Sequence, residues 1–380
     1  MRARDLGIRI GRMQPGDLNA ITDVAGVRVG HTTLIEGHGP LRPGEGPIRT
    51  GVTVVVPHDG DVWTEPIFAG AHRLNGNGEL TGLEWIREAG MLGGAIGITN
   101  THSVGVVRDA LIEAAVRGHA MSDGVWALPT VGETYDGALN DINGFHVRPE
   151  HVHAALAAAS GGPVAEGNVG GGTGMICHEF KGGIGTASRR AAEWTVGVLV
   201  QANYGARELL RIDGVPVGRA IPTSDVPSPW DQVDALNARA APEGGSIIGI
   251  VGTDAPLLPH QCARLAQRVG MGVARMGSYA SHGSGDLFLA FATGNRGLSR
   301  NSGEDDPRLT IDLRMVVDDH INPLLEAVAE ATEEAVCNAL LAAETMTGRD
   351  GITAHALDPD RLVAVMRDHA MLAERLRQMT

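Results

Sequence analysis

Short apolar runs alternate with longer segments of helical periodicity along the chain. Nearly continuous apolar runs predict buried strands at 51–57, 94–99, 194–201, 246–251 and 287–291. Apolar residues at helical spacing predict helices at 104–118, 149–161, 262–273, 322–344 and 359–378. Because strands and helices gather in blocks rather than in strict strand–helix–strand repeats, the pattern favours an α+β fold in which helices cover sheets.

Local turn and cap signals add three expectations. Thr81 and Glu84 have the spacing of a capping box that would open a short helix ending near Gly90. The pair Asp213-Gly214 is the strongest hairpin signal in the chain and predicts two paired strands within 209–217. Residues 221–245 change abruptly to a composition rich in Pro, Ala and Gly, which predicts an exposed and poorly packed connection.

Composition narrows the possible classes of protein. With 380 residues, 43% hydrophobic and 20% charged, the chain can bury a large core, and we treat it as a single domain, 1–380. Acidic residues exceed basic ones by 45 − 31 = 14. This excess argues against a protein that binds a nucleic-acid backbone or an anionic membrane surface.

Three cysteines lie far apart and form no zinc spacing and no disulfide framework, which is typical of a reduced, cytoplasmic protein. The first residues carry charge without a following apolar run, so we expect no signal peptide. Lys181 is the single lysine, and it lies between glycine-rich stretches, where we do not expect a Schiff-base residue.

Cofactor motifs are also missing from the sequence. The glycine-rich stretch 167–174 offers no register of the dinucleotide fingerprint and no phosphate-binding loop, so a tight turn is the favoured interpretation. The neighbouring pairs His151/His153 and Cys177/His178 do not make a ligand set, and there is no HExxH motif. We therefore expect no metal and no cofactor.

The most informative feature is the junction at 244–248, where two glycines are followed by Ser246 and then by a buried strand. A serine at the start of a strand is usually only structural. If the bond before Ser246 were cut, however, this residue would carry a hydroxyl nucleophile and a free α-amine, whose ordinary pKa of about 7.7–8.0 suits a base. Gly245 would help the cut, because glycine tolerates a strained backbone.

Several motifs in the same order indicate a family. They lie at 21–31, 99–105, 132–136, 139–143, 167–175, 196–205, 245–248, 253–257 and 283–286. With them the chain resembles, over nearly its whole length, the family of the L-aminopeptidase/D-Ala-esterase-amidase, which also includes β-aminopeptidases and nylon-oligomer hydrolases.

The resemblance implies a precursor that cuts itself before Ser246 into an α chain, 1–245, and a β chain, 246–380. It implies a four-layer αββα sandwich like that of the N-terminal-nucleophile hydrolases, with its own connectivity. The α and β fragments would remain partners, and several αβ units would form a homo-oligomer.

The resemblance also implies roles for individual residues. Ser246 matches the nucleophile, and Ser284 with Asp286 matches the pair that orients the nucleophile and its amine. Asp286 has a shorter reach than the Glu of some members. Asn203 matches an amide donor of the oxyanion hole. Tyr135 matches a phenol near the same oxygen. Glu133 matches the carboxylate that pairs with the substrate's free amino group.

Each of these residues also has an ordinary structural interpretation, such as a turn cap, a backbone partner or packing. Taken together, in this order, they favour a self-processing serine aminopeptidase or amidase that acts on small peptides, amides or esters with a free amine. The alternative is an unprocessed protein of the same fold that binds a nucleotide or small metabolite without chemistry.

Overall fold

The computed structural model describes residues 1–120, 124–236, 245–298 and 306–379, with 375–379 as backbone only. The strands are β1 Arg28–Glu36, β2 Ile48–Val56, β3 Ile67–Gly76, β4 Met91–Leu92, β5 Ile96–Asn100, β6 Thr130–Thr134, β7 Ile176–Cys177, β8 Phe180–Lys181, β9 Gly183–Ala191, β10 Trp194–Asn203, β11 Ser246–Thr253, β12 Gly285–Ala292, β13 Met346–Thr347 and β14 Thr353–Ala354. The helices are α1 Leu83–Ala89, α2 Val104–Gly118, α3 Pro149–Ala158, α4 Val217–Ala220, α5 Pro229–Ala235, α6 Pro259–Arg275, α7 Asn322–Ala342 and α8 Pro359–Met379. Within the described ranges, no helix is at once long and apolar enough to cross a bilayer.

Two sheets form the centre of the molecule. One has four strands in the order β1-β2-β5-β6, and the other has six in the order β4-β3-β12-β11-β10-β9. The sheets face each other across an apolar core to which both contribute, for example Ile98 from the first and Ile248 from the second. This inter-sheet core fixes the distance between the two sheets.

Helices cover the outer face of each sheet. Helices α6 and α7 pack on the six-stranded sheet, and α2 and α3 pack on the four-stranded sheet. Helix α6 shows why the sequence pattern worked, because Cys262, Leu265 and Val269 recur at helical spacing and are all buried. The four layers make an αββα sandwich, so the predicted α+β fold class is confirmed.

The start of β11 lies in the middle of the larger sheet. Ser246 is opposite Asn203 of β10 in an antiparallel pair, and opposite Gly285 of β12 in a parallel pair. Side chains alternate across a strand, so the buried Ile247 joins the core under the helices and Ile248 joins the core between the sheets. Ser246 consequently shares the inter-sheet face with Ile248.

Two local predictions are wrong. Helix α1 exists, but its N-cap is Gly82 in the left-handed conformation, and the Thr81 hydroxyl donates instead to the carbonyl of Pro129 at 2.7 Å. The Asp213-Gly214 turn closes only one bridge, between Ile212 and Val215, and helix α4 follows at once. In both cases contacts with distant parts of the chain outweigh the local signal.

The connection predicted at 221–245 is more ordered than expected in its first part. Helix α5 lies within it, Pro229 and Val233 are buried, and the Ser228 hydroxyl accepts the N–H of Trp230 at 3.2 Å. The segment is therefore packed at these positions, although Ser224, Asp225 and Pro227 are exposed as predicted. Residues 237–244 lie outside the described part of the chain.

Candidate active site

The serine at the start of β11 faces an amide. Ser246 and Asn203 are both buried, and the Asn203 Nδ2 lies 3.5 Å from the Ser246 Oγ. The antiparallel register places the two residues directly opposite each other, so strand pairing and not a flexible loop sets this distance. A hydroxyl and an amide donor are thus held together at one end of the sheet.

Two backbone partners fix the orientation of the Asn203 amide. Its Oδ1 accepts the N–H of Ile176 at 2.8 Å, and its Nδ2 donates to the carbonyl of Tyr135 at 3.0 Å. Because one partner can only donate and the other can only accept, the side chain has one favourable orientation. One amide proton is used by Tyr135, and the second is available on the side of Ser246.

The glycine-rich stretch 167–174 and Lys181 support this arrangement from behind. Lys181 is fully buried, and its Nζ donates to the carbonyls of Gly172, Met175 and Gly182 at 3.3, 2.8 and 2.8 Å. Burial lowers the pKa of Lys181 to about 7. The single lysine therefore has a structural position, since it holds the chain just before Ile176, the residue that orients the Asn203 amide.

Ser284 and Asp286 form a hydrogen-bonded pair beside the same strand end. The Ser284 hydroxyl donates to the Asp286 Oδ1 at 2.7 Å, and the other carboxylate oxygen accepts from the Asn75 Nδ2 at 3.2 Å. Burial raises the pKa of Asp286, while these two hydrogen bonds act in the opposite direction. The shorter aspartate reaches the serine, and the Ser284 oxygen keeps its lone pairs for a donor such as an amine.

Glu133 lies at the facing edge of the smaller sheet. Its carboxylate accepts the N–H of Glu79 at 3.0 Å and the hydroxyl of Thr101 at 2.5 Å. A Cβ placed on Gly78 would lie 2.9 Å from the Glu133 Oε1 and 3.3 Å from the Cα of Gly285, the strand partner of Ser246. Burial raises the pKa of Glu133. A carboxylate is therefore close to the serine and would gain from a cationic partner.

Tyr135 meets Asn203 through its backbone rather than through its phenol. The phenol lies over Gly137, where an added Cβ would come within 2.3 Å of the hydroxyl oxygen. The ring is partly exposed, and partial burial raises the pKa of the phenol. In this structure Tyr135 thus contributes a carbonyl that orients Asn203.

The peptide before Ser246 is tightly held. The carbonyl of Gly245 accepts the N–H of Gly285 at 3.1 Å. A Cβ on Gly245 would lie 2.3 Å from both the carbonyl oxygen of Asn203 and the Cα of Tyr204. The residue is therefore glycine because β10 passes so close that a side chain would not fit.

A cavity of about 810 Å³ opens next to this peptide. Its walls include Asn203, Gly245 and Ser284 from the site, with Trp230 and Tyr279 further out. A volume of this size accommodates a small organic molecule or a short peptide.

Sequence reasoning missed three partners in this site. Asn75, near the end of β3, donates to the carboxylate of Asp286. Thr101 lies inside one of the family motifs but no role was assigned to it, and it contacts Glu133. Gly285 contributes a backbone N–H. None of the three carries a local signal, because each acts through a contact with a residue that is distant in sequence.

Two sheets between helix layers are the architecture of the N-terminal-nucleophile type of hydrolase. Comparisons with known proteins agree. The model of Peptidase family S58 matches residues 19–354. The chain belongs to peptidase family S58.

Individual relatives support the assignment along the whole chain. The β-peptidyl aminopeptidase BapA of Sphingosinicella microcystinivorans is 48% identical over 98% of this chain and 93% of its own. A solved β-aminopeptidase of a Burkholderia species has a TM-score of 0.88 and 55% identity, covering 97% of this chain and 99% of its own.

A third relative confirms the fold type. The L-aminopeptidase D-Ala-esterase/amidase of Ochrobactrum anthropi, described as a prototype of the serine aminopeptidases and a new variant of the Ntn hydrolase fold, has a TM-score of 0.87 and 43% identity. It covers 97% of this chain and 99% of its own. The resemblance and the fold type are therefore confirmed. The protein is a hydrolase, an aminopeptidase of this family, rather than a binding protein without chemistry.

Proposed function

We propose that the protein is made as a precursor that cuts its own chain before Ser246 and then acts as an aminopeptidase with Ser246 as the nucleophile. The observation that carries the proposal is the position of the Ser246 hydroxyl, opposite the fixed amide of Asn203 and next to the Ser284–Asp286 pair. The products would be an α chain, 1–245, and a β chain, 246–380, which remain together.

In the self-cleavage step, the Ser246 Oγ attacks the carbonyl carbon of Gly245. The negative charge develops on the Gly245 oxygen, which already accepts the N–H of Gly285. The C–N bond breaks, the nitrogen takes up the proton that leaves the Ser246 hydroxyl and becomes the new α-amine, and an ester joins Gly245 to the serine oxygen. Water then hydrolyses the ester and leaves a carboxylate on Gly245.

In turnover, the free α-amine of Ser246 takes the hydroxyl proton while the oxygen attacks the substrate carbonyl. The second amide proton of Asn203 stabilises the oxyanion, and the phenol of Tyr135, after turning from Gly137, is assigned to the same oxygen. The Ser284 oxygen accepts from the amine, and Asp286 holds Ser284. The amine returns the proton to the leaving group, and water hydrolyses the acyl-enzyme.

Glu133 is assigned to the substrate's free amino group, because a buried carboxylate near the nucleophile is stabilised by an ammonium ion. The activities of the relatives, a β-peptidyl aminopeptidase and an L-aminopeptidase D-Ala-esterase/amidase, support short peptides, amides and esters with a free N-terminal amine, of α- or β-amino acids, as substrates. The test is a panel of aminoacyl amides with free and acetylated amines, assayed with the mature protein. Equal rates on both forms would contradict this assignment.

Two further parts of the proposal concern the assembly and the location of the enzyme. We expect αβ units to associate into a homo-oligomer. We also expect a cytoplasmic location, because the few and widely spaced cysteines are typical of a reduced protein. Mass measurement in solution and cell fractionation test these two expectations.

Replacing Glu133 by Gln should weaken the use of amine-bearing substrates. The amide can keep both local contacts, since its oxygen accepts from Glu79 and its NH₂ donates to the Thr101 oxygen. We expect kcat/KM to fall roughly 10- to 100-fold, as for the loss of a hydrogen bond to a charged group of about 1.5–3 kcal/mol. The measurement is a comparison of kcat/KM for free and acetylated amides.

The melting temperature of Glu133→Gln distinguishes a loss of substrate binding from a folding defect. The pKa of Glu133 is raised in the folded state, so the folded protein loses stability as the pH rises through that pKa and the carboxylate ionises. Glu133→Gln should therefore melt at the same or a higher temperature near pH 7. The exposed neighbour Glu79, changed to Gln, is the matched control, and an equal loss of kcat/KM there would argue against a specific role of Glu133.

Replacing Gly245 by Ala should slow self-cleavage. The new methyl group would meet backbone atoms of Asn203 and Tyr204, which cannot move without shifting β10. We expect the processed fraction to accumulate at least about ten times more slowly in a time course on denaturing gels. Gly118→Ala is the control, since a Cβ there meets nothing within 4 Å. Normal processing of Gly245→Ala would contradict the proposed geometry.

A further inference from the structure

The segment of residues 308–318, called the arm here, ends in a 3₁₀ turn that begins at Asp318 and leads into helix α7. Its odd-numbered residues Leu309, Ile311, Leu313, Met315 and Val317 are apolar and exposed, and Leu309 is 99% exposed. Polar or charged residues separate the first four of them. Strict alternation with a period of two is typical of a strand, yet the arm belongs to neither sheet.

The backbone of the arm is anchored on one side only. Arg314 uses both its N–H and its carbonyl to bind the Asn295 side chain, at 3.0 and 2.9 Å. Val316 donates to the carbonyl of Pro256 at 3.0 Å and accepts from Gln261 at 2.8 Å. In an extended chain the groups of alternate residues point to opposite sides. The backbone N–H and carbonyl groups of the even-numbered residues therefore point to the body of the protein, and those of the odd-numbered residues point away from it.

The outward edge of the arm has no partner within the described residues. No hydrogen bond there involves the N–H or carbonyl of Leu309, Ile311, Leu313 or Met315. A row of free backbone groups next to a row of exposed apolar side chains is a surface that pairs with another strand. Such an edge would be an aggregation hazard if it stayed open in solution.

The charges of the arm are complementary to those of a second arm. If two copies pair antiparallel about a two-fold axis at Leu313, Leu309 lies opposite Val317 and Ile311 opposite Met315. On the other face, the same register sets Asp312 opposite Arg314 and Arg308 opposite Asp318. Arg308 and Asp318 already pair with Asp306 and Arg264 within the chain, so the charge match between the two copies rests on Asp312 and Arg314.

Neighbouring registers lack this match. An axis at 311 places Arg308 opposite Arg314, and an axis at 315 places Asp312 opposite Asp318. An axis at an even-numbered residue would bring inward-facing backbone groups to the partner. Only the axis at Leu313 therefore combines free backbone edges, apolar pairs and opposite charges.

We propose that the arm pairs antiparallel with the arm of a second copy of this chain, across a two-fold axis at Leu313. The interface is isologous, and the same eleven residues of each copy form it. This inference rests on the homo-oligomer part of the proposed function and not on its catalytic roles. The arms add a strand pair that no single chain contains.

A cysteine at the axis tests the register. Residues opposite each other in an antiparallel pair have Cα atoms about 5.5 Å apart or less, within reach of a disulfide. Leu313→Cys should give a cross-linked dimer on a non-reducing gel after mild oxidation. Leu309→Cys is the control, because its counterpart in the second copy lies about eight residues, or roughly 26 Å, along the strand. The three natural cysteines are buried and do not interfere.

A charge exchange tests the same pairing without cysteine chemistry. Light scattering should give the wild type a mass of at least twice 39.7 kDa. Asp312→Arg places two arginines opposite each other twice in a dimer and should raise the dissociation constant roughly tenfold or more. Adding Arg314→Asp restores opposite charges and should restore the wild-type dissociation constant.

The outcomes separate this inference from the catalytic proposal. A monomeric wild type, equal cross-linking of Leu309→Cys and Leu313→Cys, or a double variant as weak as Asp312→Arg would each overturn the arm pairing. A wild type that binds only an unrelated protein through the arm would overturn it as well. Hydrolysis of an aminoacyl amide, measured on the same samples, reports on the active site, and intact hydrolysis would leave the catalytic proposal standing.

Discussion

Ser246→Ala should remain a single chain of 380 residues and should hydrolyse no aminoacyl amide. The change removes the hydroxyl that attacks Gly245 and, with it, the route to the free α-amine. One missing oxygen atom therefore abolishes both maturation and turnover. Intact-mass spectrometry should show fragments of 245 and 135 residues for the wild type and only the full chain for the variant.

Two measurements give this experiment its controls. Ser246→Cys keeps a nucleophile of similar size and should still be cut, at a different rate. A circular dichroism spectrum of Ser246→Ala that equals that of the wild type excludes a folding defect. Cleavage of Ser246→Ala between residues 245 and 246 in purified protein would mean that the serine does not make the cut.

Asn203→Ala should lower kcat by about 10²- to 10³-fold, the usual cost of removing one oxyanion donor, or about 2.7–4 kcal/mol. The reason is that the second amide proton lies next to the nucleophile and has no other partner among the described residues. The measurement is kcat on a saturating amide with fully processed protein. A kcat within threefold of the wild type would remove Asn203 from the mechanism.

The stability cost of this variant needs a matched control. Asn203→Ala leaves the N–H of Ile176 without its acceptor, which costs about 1–3 kcal/mol when buried. Gln201 lies two residues earlier on the same face of β10, and its buried amide donates to the carbonyl of Thr99 and to the hydroxyl of Thr134. Gln201→Ala should lower the melting temperature to a similar degree and leave kcat nearly unchanged.

The fold class was predictable because burial imposes a period on the sequence. Helix α6 and strand β11 are both visible as apolar patterns in the sequence. The helix buries one face and the strand buries both, so apolar residues recur at the matching positions. The same reasoning failed where a distant contact replaced a local one. Thr81 has the spacing of a helix cap, but its hydroxyl donates to the carbonyl of Pro129, nearly fifty residues away.

The site was predictable only in part. The junction at Ser246 suggested chemistry because glycine, serine and a buried strand follow each other directly. The role of Asn75 was not visible, because it depends on β3 lying next to β12, and their pairing brings together residues more than two hundred positions apart. Local sequence records which residues are buried, but it does not record which strand lies beside which.

The order of strands in the larger sheet has a consequence for the mature enzyme. Strands β11 and β12 follow the proposed cut, whereas β3 on one side and β10 on the other precede it. The β chain would therefore contribute the two central strands of a sheet whose flanking strands belong to the α chain. The two products could separate only if the hydrogen bonds of β12 with β3 and of β11 with β10 were broken. The cut would therefore create a new chain end without allowing either product to dissociate.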